Sequence, residues 1–117
     1  EKLEEIKNRS EVLKKQLTSL PNKFLSKNII IAYEPVWAIG TGKTPTVSEI
    51  NNIHISIRKM LHRKVGKEAL SISILYGGSV NSNNSQEILN LSDVDGALVG
   101  GASLKSKEFC KIIDSSN

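Results

Sequence analysis

Cysteine is almost absent. Cys110 is the only one in 117 residues, so no disulfide can form within the chain, and a reducing, cytoplasmic setting is the simplest expectation. Cys110 itself reads as a small core or surface residue. Aromatic residues are scarce at 4%. The chain is basic, with a net charge of +4, yet Lys14, Lys15, Arg58, Lys59, Arg63, Lys64 and Lys67 are spread over helices with no rings between them. Surfaces that stack bases combine clustered cations with aromatics. These cations therefore read as solvated helix faces, and nucleic acid is not an expected partner. The same bias suits the steering of a small anionic substrate. No apolar run approaches the roughly 18 residues that suggest a membrane span, so no membrane partner is expected. No signal peptide pattern is found, and the N-terminus reads as truncated, so it cannot speak to targeting. His54 and His62 have no partner at metal-ligand spacing. Both read as partly exposed helix residues, and no metal site is expected. Linkers and low-complexity segments are also missing.

What is present centres on Ile29 to Thr46, IIIAYEPVWAIGTGKTPT. Ile29 to Ala32 is a short apolar run, mostly β-branched, which predicts a strand covered on both faces. Tyr33-Glu34-Pro35 ends it, because Pro35 has no N–H to give to a sheet ladder. Glu34 is a poor core residue, since burying an unpaired carboxylate costs several kcal/mol. Val36, Trp37, Ala38 and Ile39 can cover a site and exclude water. Gly40-Thr41-Gly42-Lys43-Thr44 lets backbone N–H groups approach an anion. Thr46 with Glu49 predicts a capping box and a helix start.

Along the chain, residues 1 to 20 predict a helix, with Leu3, Ile6, Val12, Leu13, Leu17 and Leu20 on its apolar face and a break near Asn8-Arg9-Ser10. After the Ile29 strand, Thr46 to about Lys64 predicts a second helix, ended by Gly66. Ser71 to Tyr76 predicts a strand ending in Gly77-Gly78-Ser79. A short helix is expected from Asn83 to Asn90, a turn at Asp93-Val94-Asp95-Gly96, and a third strand from Gly96 to Val99. The last helix is expected from Ser106 to Asp114, with Phe109, Ile112 and Ile113 inward and a fraying tail beyond. A helix followed by three strand–helix units argues for α/β architecture: three parallel strands joined by right-handed crossovers. In α/β barrels the loops at the strand C-termini form the working face. Here those ends carry Glu34-Pro35, Gly77-Gly78-Ser79 and Gly100-Gly101. Glycines there let N–H groups point at a phosphate.

The stretch from Tyr33 to Thr44 resembles the catalytic strand and lid loop of the triosephosphate isomerases, nearly continuously over twelve residues. Tyr76-Gly77-Gly78-Ser79-Val80 and Asp95 to Leu104 follow in that family's order and at about its spacing. The resemblance implies a partial (β/α)₈ TIM barrel, residues 1 to 117 being the C-terminal portion of one barrel domain from just after the fifth strand. Complete barrels run to about 250 residues. It implies Glu34 as the base that moves a proton between adjacent carbons through an enediol-like intermediate. The reaction interconverts dihydroxyacetone phosphate and glyceraldehyde 3-phosphate, a step of glycolysis and gluconeogenesis, with no metal or organic cofactor. A glutamate base under a closing lid is a familiar pattern for this family.

By the same resemblance Gly40, Ser79, Gly100 and Gly101 hold the substrate phosphate. Pro35, Val36, Trp37, Ala38, Ile39, Gly42, Lys43 and Thr44 form the lid, and Tyr76 and Ser79 latch it when closed. Tyr76 reads equally as a packed strand end. Pro45 departs from the commonest lid pattern, where alanine is frequent, and stiffens the second hinge. The family also uses an asparagine, a lysine, a histidine electrophile and a second glutamate from its N-terminal portion. None can be assigned here, and neither His54 nor His62 matches that histidine. The expected partners are thus a phosphorylated triose, the missing N-terminal barrel portion and, by family habit, a second copy in a homodimer. Little isomerase activity is expected of the 117 residues alone. The competing reading is a non-catalytic half-barrel that folds or self-associates.

Overall fold

The computed structural model describes residues 2–24, 29–36 and 44–116. Helix α1 (Lys2–Ser19) is one continuous helix, without the break expected near Asn8-Arg9-Ser10. Asn, Arg and Ser each cost a helix only a few tenths of a kcal/mol, and no Gly or Pro interrupts it. Leu17 is buried and Leu13 half-buried, but Val12 and Leu20 are exposed. They border an open cleft of about 730 Å³ between α1 and strand β1 (Ile30–Tyr33), lined on the strand side by Ile31 and Tyr33.

Helix α2 (Val47–Val65) starts as its sequence predicts. Thr46 accepts a hydrogen bond from the Glu49 N–H at 3.1 Å, and its hydroxyl donates to Glu49 Oε1 at 3.3 Å. Thr46 thus satisfies an N–H the helix leaves orphaned, and Glu49 places negative charge in the first turn. Gly66 closes the helix at φ +70°, its N–H returning to the His62 carbonyl. The chain then turns through a 3₁₀ segment, Gly66–Ser71, which takes Ser71 out of the second strand.

Strand β2 (Ser73–Tyr76) lies between β1 and β3 (Gly96–Ala97), all parallel, in the order β1-β2-β3. Ile31 pairs with Ile74 and Tyr33 with Tyr76, and Ala97 lies beside Tyr76. Strand alternation puts Ile31, Tyr33, Ile74 and Tyr76 on one face. That face meets α2, whose Ile50, Ile57 and Leu61 form the core with Ile74 and Tyr76. The opposite face carries Ile30, Ala32 and Leu75. Ile30 is 64% exposed there, which corrects the expectation of a strand covered on both sides. The described helices cover only one face, so an apolar run of this kind is half dry and half wet.

Strand β3 is shorter than expected. The ladder continues one bond further, from Leu98 N–H to Tyr76 O at 3.0 Å, but Leu98 and Val99 leave the strand. Helix α3 (Ser85–Leu89) is also shorter than its apolar pattern suggests. Asn81 Oδ1 accepts from the N–H of Asn83 and Asn84, and Asn84 Oδ1 from the N–H of Asn81. Such side-chain bonds compete with helix formation. Helix α4 (Ser106–Asp114) has the predicted bounds, with Ile112 buried and Phe109 half-buried. Ile113 is exposed, contrary to expectation. The tail is tied rather than frayed at Ser115, whose hydroxyl lies 2.7 Å from the Ser85 hydroxyl and donates to the Ile112 carbonyl.

Candidate active site

Glu34 directly follows β1, so it stands at the C-terminal end of the parallel strands, where it borders the cleft between α1 and β1. It is exposed, while Pro35 behind it is buried. The Val36 N–H bonds back to the Glu34 carbonyl at 2.8 Å, turning the chain sharply away from the sheet. Val36 and Thr44 are both exposed. The other lid residues expected from the sequence, Trp37, Ala38, Ile39, Gly40, Gly42 and Lys43, lie outside the described residues, and with them the expected phosphate contact of Gly40.

The neighbouring strand end is built around glycine. Gly77 donates to the Tyr33 carbonyl at 2.7 Å. A Cβ on Gly77 would stand 3.1 Å from that oxygen and 3.9 Å from the Glu34 Cα. A side chain there would crowd the Tyr33 carbonyl, so glycine eases the close approach of the two strand ends. Gly78 lies against the Tyr76 ring, and a Cβ there would overlap the Tyr76 hydroxyl. Ser79 is exposed, and its carbonyl accepts from the Asn84 amide at 3.0 Å. Gly100 and Gly101 follow β3 at the same end of the sheet, both exposed. A Cβ on either would meet nothing within 4 Å. Crowding by the described residues is therefore not what calls for glycine at this pair. Glu34, Ser79 and both glycine pairs thus follow strand ends at one rim. Tyr76 is instead buried on the helix side, 1% exposed. Burial pushes its hydroxyl's pKa up, and neighbouring Tyr33 adds to the shift.

The structure brings in three groups that the sequence reading placed elsewhere. His54, expected to be partly exposed, is fully buried. Its ring stands edge-on to Tyr33 and tilted to Tyr76, with centroids 6.1 Å from each. Arg58, expected on a solvated face, is largely covered. Its Nη1 donates to the Ala69 and Ile72 carbonyls at 3.0 Å each, its Nη2 to Asp95 Oδ2 at 2.6 Å and its Nε to Asp93 Oδ1 at 3.3 Å. Asp95, read as turn chemistry, also accepts the Ile74 N–H at 2.8 Å, standing in for a strand carbonyl. Asn51, His54 and Arg58 recur at three- and four-residue steps, so α2 carries a polar stripe beside its apolar one. That stripe grips Asp93 by its N–H, its carbonyl and its carboxylate. The spacing was legible; the partner forty residues on was not. His62 is exposed as expected. Among the described residues no three His, Cys, Asp or Glu side chains gather as a metal site would require, and no helix is long and apolar enough to cross a membrane.

Three parallel strands whose C-terminal ends carry an acid and two glycine pairs define an arc of an α/β barrel with its working rim. Comparison with known proteins places that arc. The sequence model of the triosephosphate isomerase family matches residues 1–116. A triosephosphate isomerase of Rhizobium meliloti is 50% identical over 103 residues, 87% of this chain and 40% of the relative; one from Xanthobacter autotrophicus is 55% identical over 94 residues. The crystal structure of triosephosphate isomerase from Bartonella henselae superposes with a TM-score of 0.82 at 43% identity, covering 97% of this chain and 46% of that one. The chain belongs to the triosephosphate isomerase family, and its fold is a partial TIM barrel. It spans about 40% of the length of the curated relatives it matches.

Proposed function

We propose that this chain supplies the base and the phosphate cradle of a triosephosphate isomerase, as the C-terminal portion of one barrel domain. Glu34 takes a proton from the carbon beside the substrate carbonyl and returns it to the neighbouring carbon. Dihydroxyacetone phosphate and D-glyceraldehyde 3-phosphate are thereby interconverted through an enediolate. Gly40, Ser79, Gly100 and Gly101 receive the phosphate. Residues 35 to 44 close over it, with Tyr76 and Ser79 as latch, in the cytoplasm and as a homodimer once the barrel is complete. One observation carries the reading: Glu34 stands at the rim directly after the Tyr33 carbonyl that accepts the Gly77 N–H at 2.7 Å, so the acid is tied beside the first glycine pair. An exposed acid on the same rim as the exposed Gly100 and Gly101 suits a base working next to a bound phosphate.

The enediolate needs a donor for its oxyanion, and losing such a donor costs about 3–4 kcal/mol of barrier. The reading assigns that donor to the barrel portion that the relatives possess beyond this stretch. A half-barrel without chemistry is the second reading, favoured by the wet apolar face at Ile30 and Leu98, 64% and 53% exposed.

The experiment mixes the 117-residue chain with the remaining N-terminal portion of a bacterial relative and follows isomerisation in a coupled assay. The expected result is turnover by the mixture, little by either part alone, and loss of about 10²-fold or more on Glu34→Gln, as for removal of a general base. A folded, associated mixture without turnover, or turnover indifferent to Glu34→Gln, refutes the reading.

A further inference from the structure

We propose that His54 is a positioning residue for the rim: held neutral with its proton on Nδ1, it wedges between Tyr33 and Tyr76 and sets where Glu34 and Gly77 stand, and a second proton on Nε2 releases both strand ends. Only the catalytic consequence rests on Glu34 being the base; the positioning itself does not.

Nδ1 lies 3.3 Å from the Asp93 carbonyl. A carbonyl only accepts, so Nδ1 carries the proton and Nε2 keeps its lone pair. Nε2 is buried and has no hydrogen-bond partner among the described residues. The ring occupies a fully covered site between the residue that precedes Glu34 and the residue that precedes Gly77. A proton added at Nε2 would be an unanswered donor on a buried cation, which such a site does not tolerate. The ring must then move or the strand ends must part to admit water. Tyr33 and Gly77 are joined by the 2.7 Å bond at the rim, so neither end can shift alone.

The groups facing His54 are mixed in sign. Tyr33 of β1 and Tyr76 of β2 flank the ring. Asp93 and Asp95, ahead of β3, favour the charged form, and Arg58, on the same helix, opposes it. Burial outweighs the hydrogen bond to the Asp93 carbonyl and the two carboxylates, and holds the imidazole below its ordinary value. Arg58 pairs with both aspartates, which blunts the help they could give an imidazolium. A histidine retained only to fill space would leave the rim indifferent to its protonation.

The test uses the 117-residue chain, isotope-labelled, without substrate. Long-range ¹H–¹⁵N spectra report the His54 tautomer, and a pH series follows the His54 ring together with the amides of Glu34 and Gly77. The expected result is the Nδ1–H tautomer, a ring midpoint below that of the same histidine in urea, and Glu34 and Gly77 shifts that step at the ring's midpoint. In His54→Gln, which keeps an amide donor for Asp93 but cannot titrate, that step vanishes while the other amides keep their positions. The Nε2–H tautomer, a ring that titrates as it does in urea, or rim amides static through its titration overturns the proposal. So does a step that persists in His54→Gln. Should His54→Gln fail to fold, the unsubstituted chain's tautomer and shared midpoint decide. Since no turnover is read, failure of the isomerase reading leaves these shifts in place, and the two claims fail separately.

Discussion

Replacing Arg58 with methionine keeps the stem that packs on the core and removes every donor. Four acceptors then lose a bond, the Ala69 and Ile72 carbonyls, Asp93 Oδ1 and Asp95 Oδ2, although Ala69 keeps the Ile72 N–H and Asp95 the Ile74 N–H. Each carbonyl loses a bond worth about 1 kcal/mol net, more where burial denies it water. The two ion pairs are worth less than buried pairs of their length, since the Asp93 and Asp95 side chains are 24% and 37% exposed. Loss of a deeply buried partner costs about 3–5 kcal/mol and an exposed pair about 0–1. The expected loss for Arg58→Met is therefore about 2–4 kcal/mol. Against a total of about 5–15 kcal/mol for a domain of ordinary stability, that is a large share. Urea unfolding followed by far-UV circular dichroism reads it, as a midpoint lower by about 1–2 M at an ordinary slope for this size. Arg58→Lys should recover only part of it, because one ammonium cannot reach all four acceptors across two segments as the guanidinium fork does. A loss below about 1 kcal/mol for Arg58→Met, with an unchanged slope, would mean that water replaces the guanidinium cheaply and that the account of this junction is wrong.

Two further outcomes follow from the same strand ends. Gly78→Ala should destabilise by about 1–3 kcal/mol, because its Cβ must displace a buried Tyr76 ring; an unchanged urea midpoint shows that the ring moves aside freely. The stability of the chain should fall as pH drops from about 6.5, the unfolded value of histidine, toward the lower folded value of His54. The sign follows from linkage: between the two values the unfolded chain binds the extra proton and the folded chain does not, so stability is present above that window and lost below it. His54→Gln should flatten the slope across that window, and a slope unaltered by the substitution refutes the assignment.

Much of this was legible in the residues. The Thr46–Glu49 pair marked a helix start, Gly66 its end, and the strand–helix alternation the parallel sheet. Local chemistry specifies each of these, within a few residues of where it acts. The misplaced features depend on distant partners. His54 and Arg58 sit on a helix whose sequence reads as an apolar stripe with polar neighbours, and only the return of Asp93 and Asp95 turns part of the polar side inward. Ile30 reads as core because its residue type suits a covered strand, yet which face of a sheet is covered depends on neighbours that a local pattern does not encode. The break expected in α1 failed for the opposite reason: Asn8 and Ser10 offer turn chemistry too weak to interrupt a helix without Gly or Pro.

The Asp93–Asp95 junction also bears on how β3 keeps its alignment. A two-residue strand has a short main-chain ladder, the Asp95 and Leu98 N–H groups bonding the Ile74 and Tyr76 carbonyls at 3.0 Å each, and its register is reinforced by side chains: Asn51, His54 and Arg58 reading one aspartate, and the Ile74 N–H with Arg58 reading the other. Sliding the segment by one residue would carry both carboxylates about 3.3 Å along the sheet and undo these bonds together. Inserting or deleting a residue between Leu91 and Asp95 should therefore be far less tolerated than its short, polar, turn-like sequence suggests.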